Sequence, residues 1–359
     1  MYRYLKYVYM IALLALVSCS GFEDHAGQGY PIYISASLEE EIGDLTEVKA
    51  PYISTAPSDQ NPLGALVLVS TTEDEYANTG ENGQDGPVKY HTNATFTSTS
   101  SQLLSGPLYN SDPVKQPMVY FSALSPQNNW TITGTEGGKN YKARYVFDGT
   151  QDLMFAPKQS GKYNGQKPVL VFRHLLTYMK LFIYAENEDV SKAWGKINTI
   201  TISNAHDMGN GSKALNIDLS NPLNGTVPNV SFEEQDNCTM SFYDVATNSL
   251  FPSADGYGLQ YSAAKEVAYV MMAPVTALET DPLDNSLKVD EFVISIRSEN
   301  RTATVGVDLM KSQTEFFTGS TMGKQFSITL KFTMGNTISV RADVQDWETG
   351  GIGIGDVIE

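Results

Sequence analysis

The chain has 359 residues, and its 24 Lys and Arg against 41 Asp and Glu give a formal net charge of −17. Such an acidic chain lacks the basic patches that phosphate binding needs, so nucleic acid is not an expected partner. The length predicts two domains. Cys238 is expected to be a small buried hydrophobic residue with no functional role.

The first twenty residues, MYRYLKYVYMIALLALVSCS, have the pattern of a secretory signal peptide. Arg3 and Lys6 supply its positive charge, and the apolar run that follows is too short to span a bilayer. The Leu-Val-Ser-Cys segment ending at Cys19 resembles a bacterial lipobox. This implies removal of residues 1–18 and attachment of a lipid such as palmitate to Cys19. The alternative is an ordinary signal peptide with an incidental cysteine.

The residues that follow Cys19 indicate where in the cell the protein is expected. Its acidic pair, Glu23 and Asp24, resembles the surface-export signal of Bacteroidetes lipoproteins. The expected product is an outer-membrane lipoprotein at the cell surface, with residues 19–29 as a tether. No later segment is apolar and long enough to cross a bilayer as a helix.

Most of the remaining chain predicts β-structure, because short runs rich in Val, Ile, Tyr and Thr alternate with Gly, Pro, Asn and Asp clusters. The predicted strands are 30–37, 65–70, 88–97, 118–124, 141–147, 197–203, 214–219, 267–272, 288–296 and 303–309. A short helix is predicted at 37–48, where Ser37 and Glu40 form a capping box. The loop at 158–168 divides an N-terminal β-sandwich domain, 30–163, from a C-terminal one, 164–359.

The clearest strand pair lies near the C-terminus. Apolar side chains alternate with polar ones over 325–332 and again over 337–344, which predicts two strands with one buried face each. Gly335-Asn336 between them suits a tight turn, so the sequence predicts a β-hairpin.

Patterns that carry chemistry are missing from the sequence. It contains no H-E-x-x-H, no G-x-S-x-G, no C-x-x-C and no glycine-rich phosphate loop. We therefore predict no catalytic residue, no metal ligand and no cofactor, and we do not expect an enzyme. Asp148 and Asp152 in FDGTQD raise the alternative of a Ca²⁺ contact, but a plain Asp-Gly turn is the better prediction.

The stretch VLVFRHLLTYMKLFIYAEN, residues 169–187, is densely apolar and contains Arg173 and His174. Periodicity alone does not distinguish a helix from a strand here. The β-branched and aromatic residues at both ends favour strands, with a bulge or turn at the centre. His174 is then expected to be a neutral core residue that bonds to backbone, since the local sequence offers no Asp, Ser or Cys partner.

Several segments resemble one family. The F-x-H at 172–174 is similar to the central signature of the fimbrillin-like proteins of Bacteroidales, the type V pilin superfamily. In the family's order, MVYFSALSPQ (118–127), QDLMFA (151–156), the segment 196–219 and the final hairpin closing on Trp347 resemble its other motifs. The resemblance implies two tandem transthyretin-like antiparallel β-sandwich domains. It also implies a structural or accessory subunit of a surface fimbria that contributes to adhesion.

The resemblance further implies assembly by strand exchange, after a protease cuts behind a basic residue, usually Arg, and removes the first strand. This chain has no Arg between Cys19 and Arg144. Lys49 is the candidate processing site; the alternative is a loop lysine that is never cut, which would suit an anchor subunit. The tail is a candidate donor strand through Ile352, Ile354, Val357 and Ile358; the alternative is a frayed end.

The expected partners are other fimbrial subunits or further copies of this chain, and the outer membrane through the lipid. The alternative function is a surface lipoprotein that binds glycan or another host or bacterial ligand through its sandwich loops. Loop aromatic residues such as Trp130 would then form a stacking platform, although Trp130 and Trp194 are as readily explained as core residues.

Overall fold

The computed structural model describes sixteen segments of the chain. They are residues 30–38, 62–70, 82–83, 86–87, 89–97, 102–109, 118–133, 141–162, 167–204, 213–219, 230–233, 239–261, 263–277, 292–310, 318–335 and 337–346. Strands make up most of these segments, so the predicted all-β class is confirmed. None of the helices in these segments is long and apolar enough to cross a membrane.

The strands are numbered in chain order. Those in the first half are β1 (Tyr30–Leu38), β2 (Leu63–Ser70), β3 (Asn82–Gly83), β4 (Gly86–Pro87), β5 (Lys89–Phe96), β6 (Gln102–Tyr109), β7 (Val119–Ser125), β8 (Thr131–Thr133), β9 (Lys142–Val146), β10 (Met154–Gly161) and β11 (Val169–His174). Those that follow are β12 (Thr177–Ala185), β13 (Lys196–Asn204), β14 (Ala214–Asp218), β15 (Val230–Phe232), β16 (Thr239–Asp244), β17 (Leu250–Phe251), β18 (Tyr257–Gly258) and β19 (Lys265–Met272). The last are β20 (Thr276–Ala277), β21 (Phe292–Ser298), β22 (Thr302–Val307), β23 (Leu309–Met310), β24 (Gly319–Ser320), β25 (Lys324–Phe332) and β26 (Ile338–Asp346).

A seven-stranded sheet has the order β5-β2-β7-β10-β11-β1-β6. Its pairings are antiparallel except for β1 with β11, which run parallel. The two edge strands, β5 and β6, approach each other, so the sheet is strongly curled.

An eleven-stranded sheet has the main order β22-β21-β13-β16-β19-β12-β25-β26-β23, with β17 and β18 as short additions. Parallel pairs occur here too, between β12 and β25 and between β23 and β26. Most strand pairs are antiparallel, as the expected β-sandwich domains imply, but these parallel pairs were not predicted. Strands distant along the chain meet in parallel, and this requires long crossovers that local alternation does not reveal.

Strand pairing crosses the predicted domain boundary between residues 163 and 164. The strand β11, which follows the boundary, belongs to the seven-stranded sheet, while β9, which precedes it, pairs with β14 in a four-stranded sheet of order β15-β14-β9-β8. The division into domains at 30–163 and 164–359 stays a prediction.

Two hydrophobic cores lie against the seven-stranded sheet. One face packs on a core that includes Phe96, Phe121 and Phe172. The other face contributes Leu66 and Phe155, among others, to a larger core shared with the eleven-stranded and four-stranded sheets. A sheet buried on both faces is held by its apolar side chains on each side, which ties the two halves of the chain together.

Two local predictions, the C-terminal hairpin and the strands of the central stretch, are confirmed. The C-terminal hairpin is β25 and β26, in register from Phe332–Ile338 to Lys324–Asp346. The central stretch forms two strands, β11 and β12, separated by a turn at Leu175-Leu176. Residues 37 and 38 end β1, which contradicts the start of the predicted helix at 37–48; the rest of that segment lies outside the described residues.

Some elements were not predicted. They include β6, β10, β16 and a helix, α1 (Glu188–Trp194). The cap of α1 explains why so short a helix begins there, because the Asn187 side chain accepts a hydrogen bond from the Val190 backbone N–H at 3.0 Å. Val190 and Trp194 then bury one side of the helix.

Candidate functional site

The first strand of the chain occupies an interior position in its sheet. The first half of β1 pairs with β6, from Tyr30–Tyr109 to Ile34–Gln102, and the second half pairs with β11, from Ser35–Val169 to Leu38–Phe172. In the sheet order, β6 is joined to the other strands only through β1. Without β1, the edge of β11 would present unpaired backbone groups.

Apolar side chains on one face of β1 pack into the core of the seven-stranded sheet. Ile34 and Ala36 are each 1% exposed and belong to the core that contains Leu170 and Phe172. These side chains point inward because they alternate along the strand. Ser35 between them is also buried, and its backbone N–H donates to the Pro168 carbonyl at 3.1 Å.

No tight turn connects β1 to either neighbour. The next strand along the chain, β2, pairs with β5 and β7. The sheet neighbours of β1 begin at Gln102 and Val169. Hydrogen bonds and packing therefore hold β1 in place, while the chain leads away from it. We call the position between β6 and β11, with the core under Ile34 and Ala36, the β1 site.

A second feature lies where the chain passes from one large sheet to the other. β11 ends at His174, two fully buried leucines follow, and β12 begins at Thr177. The Leu175 N–H donates to the Leu153 carbonyl at 2.8 Å, and the Gly323 N–H donates to the Leu176 carbonyl at 3.1 Å. Both sheets therefore bind this turn through the backbone.

A buried hydrogen bond between two side chains lies beside the turn. His174 Nδ1 lies 3.0 Å from Asp152 Oδ1, and the two side chains are 7% and 5% exposed. Because a carboxylate only accepts hydrogen bonds, the imidazole N–H is the donor. The expectation that the ring nitrogens of His174 bond to backbone does not hold for Nδ1, since its partner is a side chain 22 residues upstream, just before β10. The pair joins the DLMFA and F-x-H segments that carry the family resemblance.

Strands β12 and β19 also carry partly or fully buried polar side chains. Burial raises the pKa of Tyr178 well above its usual value, with added repulsion from the charges of Glu266 and Asp152. Burial also raises the pKa of Glu266, although Lys180, 3.9 Å away, acts in the opposite direction. The His174 and Asp152 side chains themselves are 7% and 5% exposed, and this burial suits a structural pair.

The predicted Asp-Gly turn is confirmed at Asp148. Its carboxylate accepts hydrogen bonds from the Thr150 N–H at 2.9 Å and the Thr150 hydroxyl at 2.7 Å. Gly149 has a φ of +103° and its carbonyl accepts from the Met271 N–H at 2.8 Å, which docks the turn on β19. Within the described segments, no group of three or more His, Cys, Asp and Glu side chains is placed to hold a metal.

The side chains of the two described tryptophans, Trp130 and Trp194, pack against other residues of the protein. The Trp130 indole N–H donates to the Pro126 carbonyl at 2.7 Å, and the ring meets Tyr145 edge-on at 4.9 Å. Trp194 is fully buried against Phe332 at 4.8 Å. Neither indole is an open stacking platform for a sugar.

The sequence-predicted site residues do not fall on described segments. Cys19, Lys49 and the tail residues Ile352, Ile354, Val357 and Ile358 all lie outside them. Their roles in lipid attachment, processing and strand donation stay predictions. The β1 site itself had no sequence signal beyond the strand at 30–37.

Comparisons with known proteins add structural similarities. No family model matches the chain, and no curated protein matches its sequence. A solved structure of a proposed cell adhesion protein from Bacteroides uniformis is 17% identical, with a TM-score of 0.46, and covers 88% of this chain and 99% of its own. A second such protein, from Bacteroides ovatus, is 15% identical, with a TM-score of 0.49 and coverages of 89% and 98%.

A fimbrial protein from Bacteroides vulgatus is 12% identical, with a TM-score of 0.42 and coverages of 88% and 99%. At these identities and TM-scores the matches do not by themselves assign a family or a function. The chain is similar, along most of its length, to Bacteroides proteins described as fimbrial or as proposed adhesion proteins.

Proposed function

We propose that the protein is a structural or accessory subunit of a surface fimbria and that it assembles by exchange of the β1 strand. Other fimbrial subunits are its partners, and a lipid on Cys19 holds the precursor at the outer membrane. It acts by binding and assembly, not as an enzyme.

The position of β1 supports this proposal most. A strand that lies inside a sheet but has no turn to its neighbours can be replaced by a strand from another chain without rearranging the rest. The incoming strand would satisfy the same backbone groups of β6 and β11 and bury side chains in the same core. The order of the family-like segments along the sequence points to the same kind of protein.

The proposed release step is a cut after Lys49. This residue follows β1 and precedes β2 in sequence, so cleavage there would separate β1 covalently from the rest of the chain. The β1 fragment would then be held by non-covalent contacts alone. If the chain stays uncut, it keeps both its first strand and its lipid, which suits an anchor.

An unheated SDS gel of outer-membrane and shed fractions tests this function, with the N-terminus of each band sequenced. We expect SDS-resistant multimers that begin at Ala50. A Lys49→Gln variant should give monomer that still carries Cys19, and Lys89→Gln, the matched control, should keep the multimers. A wild-type chain found only as monomer blocked at Cys19 would contradict the polymerising role and leave the anchor role.

The lipid is tested separately. Wild-type cells should incorporate labelled palmitate into this protein, and a Cys19→Ala variant should not. Replacement of Cys238 by Ala serves as the control and should leave labelling unchanged. Equal membrane retention of the Cys19→Ala variant, with no label in wild type, would contradict the lipoprotein assignment.

A further inference from the structure

The two inward side chains in the middle of β1 differ in size. Ile34 is large and Ala36 is small, and both are 1% exposed, so both are covered by the core. Ala36 lies opposite Leu170 in the parallel ladder. The β1 site is therefore shaped for a bulky aliphatic side chain first and a small one two residues later.

We propose that this order of sizes selects the strand that replaces β1, and that the strand comes from a different subunit rather than from this chain's own C-terminal tail. The inference rests on the proposed strand exchange and names its partner: an extended segment with a bulky aliphatic residue at the Ile34 position and Ala, Gly or Ser at the Ala36 position.

Ala36 shares its core with large side chains. Leu170 and Phe172 are buried in the same core, and the Phe172 ring meets Phe96 edge-on with centroids 6.5 Å apart. Protein cores are close-packed, and extra methylenes at a filled position force side chains and backbone to move. An Ile at the Ala36 position would have to displace these groups.

The corresponding strand of the other large sheet shows that a small residue is not a general requirement. β25 lies parallel to β12 as β1 lies parallel to β11. Its inward side chains are all large and fully buried: Phe326, Ile328, Leu330 and Phe332. The small position is a property of the β1 site.

The C-terminal tail does not offer the required order in the direction of β1. Two positions after Ile352 comes Ile354, and two positions after Ile354 comes Asp356. Val357 is followed in the same way by Glu359. Seating the tail would therefore place a second bulky side chain, or a carboxylate, in the closed space under Ala36, and an unpaired buried charge is strongly unfavourable.

Peptide exchange into the full chain tests this inference. A full-length variant carries a unique protease site between β1 and β2, so that cutting leaves β1 in place but detached. Three labelled nine-residue peptides are then compared by fluorescence anisotropy. They are residues 30–38, the same peptide with Ile34→Ala and Ala36→Ile, and residues 350–358. The first two have identical composition and differ only in the order of large and small side chains.

We expect the 30–38 peptide to enter the cut protein, and the reordered and tail peptides to bind at least tenfold more weakly. Equal binding of the reordered peptide would overturn selection by size. Tail binding as tight as that of 30–38 would overturn the different-subunit partner. In both cases strand exchange itself would stand. If no peptide enters, including 30–38, strand exchange fails and this inference fails with it.

Discussion

β1 and β25 hold matching places in the two large sheets but are attached to them differently. Each runs parallel to one half of the central stretch, β11 or β12, and antiparallel to its other neighbour, β6 or β26. A tight turn links β25 to β26, where the Thr333 N–H donates to the Thr337 carbonyl at 3.1 Å. β1 has no such link to either neighbour.

The difference separates two ways of completing a sheet. The hairpin keeps β25 at high effective concentration next to β26, so its pairing costs little chain entropy. Pairing of β1 with its neighbours closes long stretches of chain. The stability of this pairing depends on the hydrogen bonds of β1 and on the burial of Ile34 and Ala36. Under the proposed strand exchange, we expect the strand at this position to be permanent in the eleven-stranded sheet and replaceable in the seven-stranded one.

The largest effect is expected from cutting the chain. A full-length protein cut between β1 and β2 should lose the β1 fragment on dilution, because nothing but non-covalent contact retains it. A control cut between β20 and β21 should leave its two pieces together, since each contributes several strands to the eleven-stranded sheet. Size-exclusion chromatography with mass detection follows the fragments. If the β1 fragment still co-elutes with the rest of the protein at high dilution, β1 is held as firmly as the strands of the eleven-stranded sheet, and the proposed difference is wrong.

The second-largest effect is expected from removing the buried contact between His174 and Asp152. Asp152→Ala removes the carboxylate that accepts a hydrogen bond from the buried His174 ring, and it should lower the free energy of unfolding by about 2–3 kcal/mol. The control Asp148→Ala removes a turn contact at an exposed site and should cost only about 1 kcal/mol. Urea unfolding measures both. A double-mutant cycle with His174→Ala that shows no coupling would contradict the pair's role at the turn.

Hydrogen exchange compares the local stability of β1 and β25 in the unmutated protein. Backbone amides of β1 are expected to exchange at least about tenfold faster than those of β25, because a strand without a hairpin opens locally at lower free energy. Mass spectrometry of peptic peptides from the native protein measures this. Peptides from β26 serve as the reference, and equal protection of β1 and β25 would remove the distinction.

The smallest effect on stability is expected from the contact between Arg144 and Glu233 in the four-stranded sheet. The Arg144 guanidinium, with smaller help from Asn216, lowers the pKa of Glu233 from 4.5 to about 2 despite an opposing effect of burial. A depressed carboxyl pKa stabilises the fold above pH 4.5, and this contribution is lost as the pH falls toward 2.

The pair is partly exposed, so Glu233→Gln should lower Tm by less than about 2 °C at pH 7 and by much less near pH 2, where the carboxyl is about half protonated. Thermal unfolding at several pH values checks this. The Glu188→Gln variant, which breaks the exposed pair with Lys192, is the control. An equal loss at pH 2 and pH 7 would rule out the titration.

Local patterns predicted the local structure. The alternation of Phe326, Ile328 and Leu330 with polar residues, followed by Gly335, defines a hairpin because neighbouring residues carry all the information. The turn at Leu175-Leu176 follows from β-branched and aromatic residues on both sides of it. The strand at 30–37 was likewise predicted.

Contacts between distant segments were not predictable from such patterns. Nothing near His174 in sequence identifies Asp152, because the pair forms only when β10 and β11 align. The position of β1 between β6 and β11 depends on a parallel register that no turn encodes. The resemblance to a family gave the two segments DLMFA and F-x-H as separate motifs, whereas the structure joins them through one hydrogen bond between Asp152 and His174.

The parallel pairing of β1 with β11 also has a mechanical consequence. In a parallel pair, the start of one strand and the end of the other lie at opposite ends of the ladder. Tension between the N-terminus of β1 and the chain leaving β11 at His174 therefore loads the hydrogen bonds from Ser35 to Leu38 together, in shear, rather than opening them one at a time. A chain anchored at its N-terminus and pulled from its C-terminal half would resist force along its strongest direction.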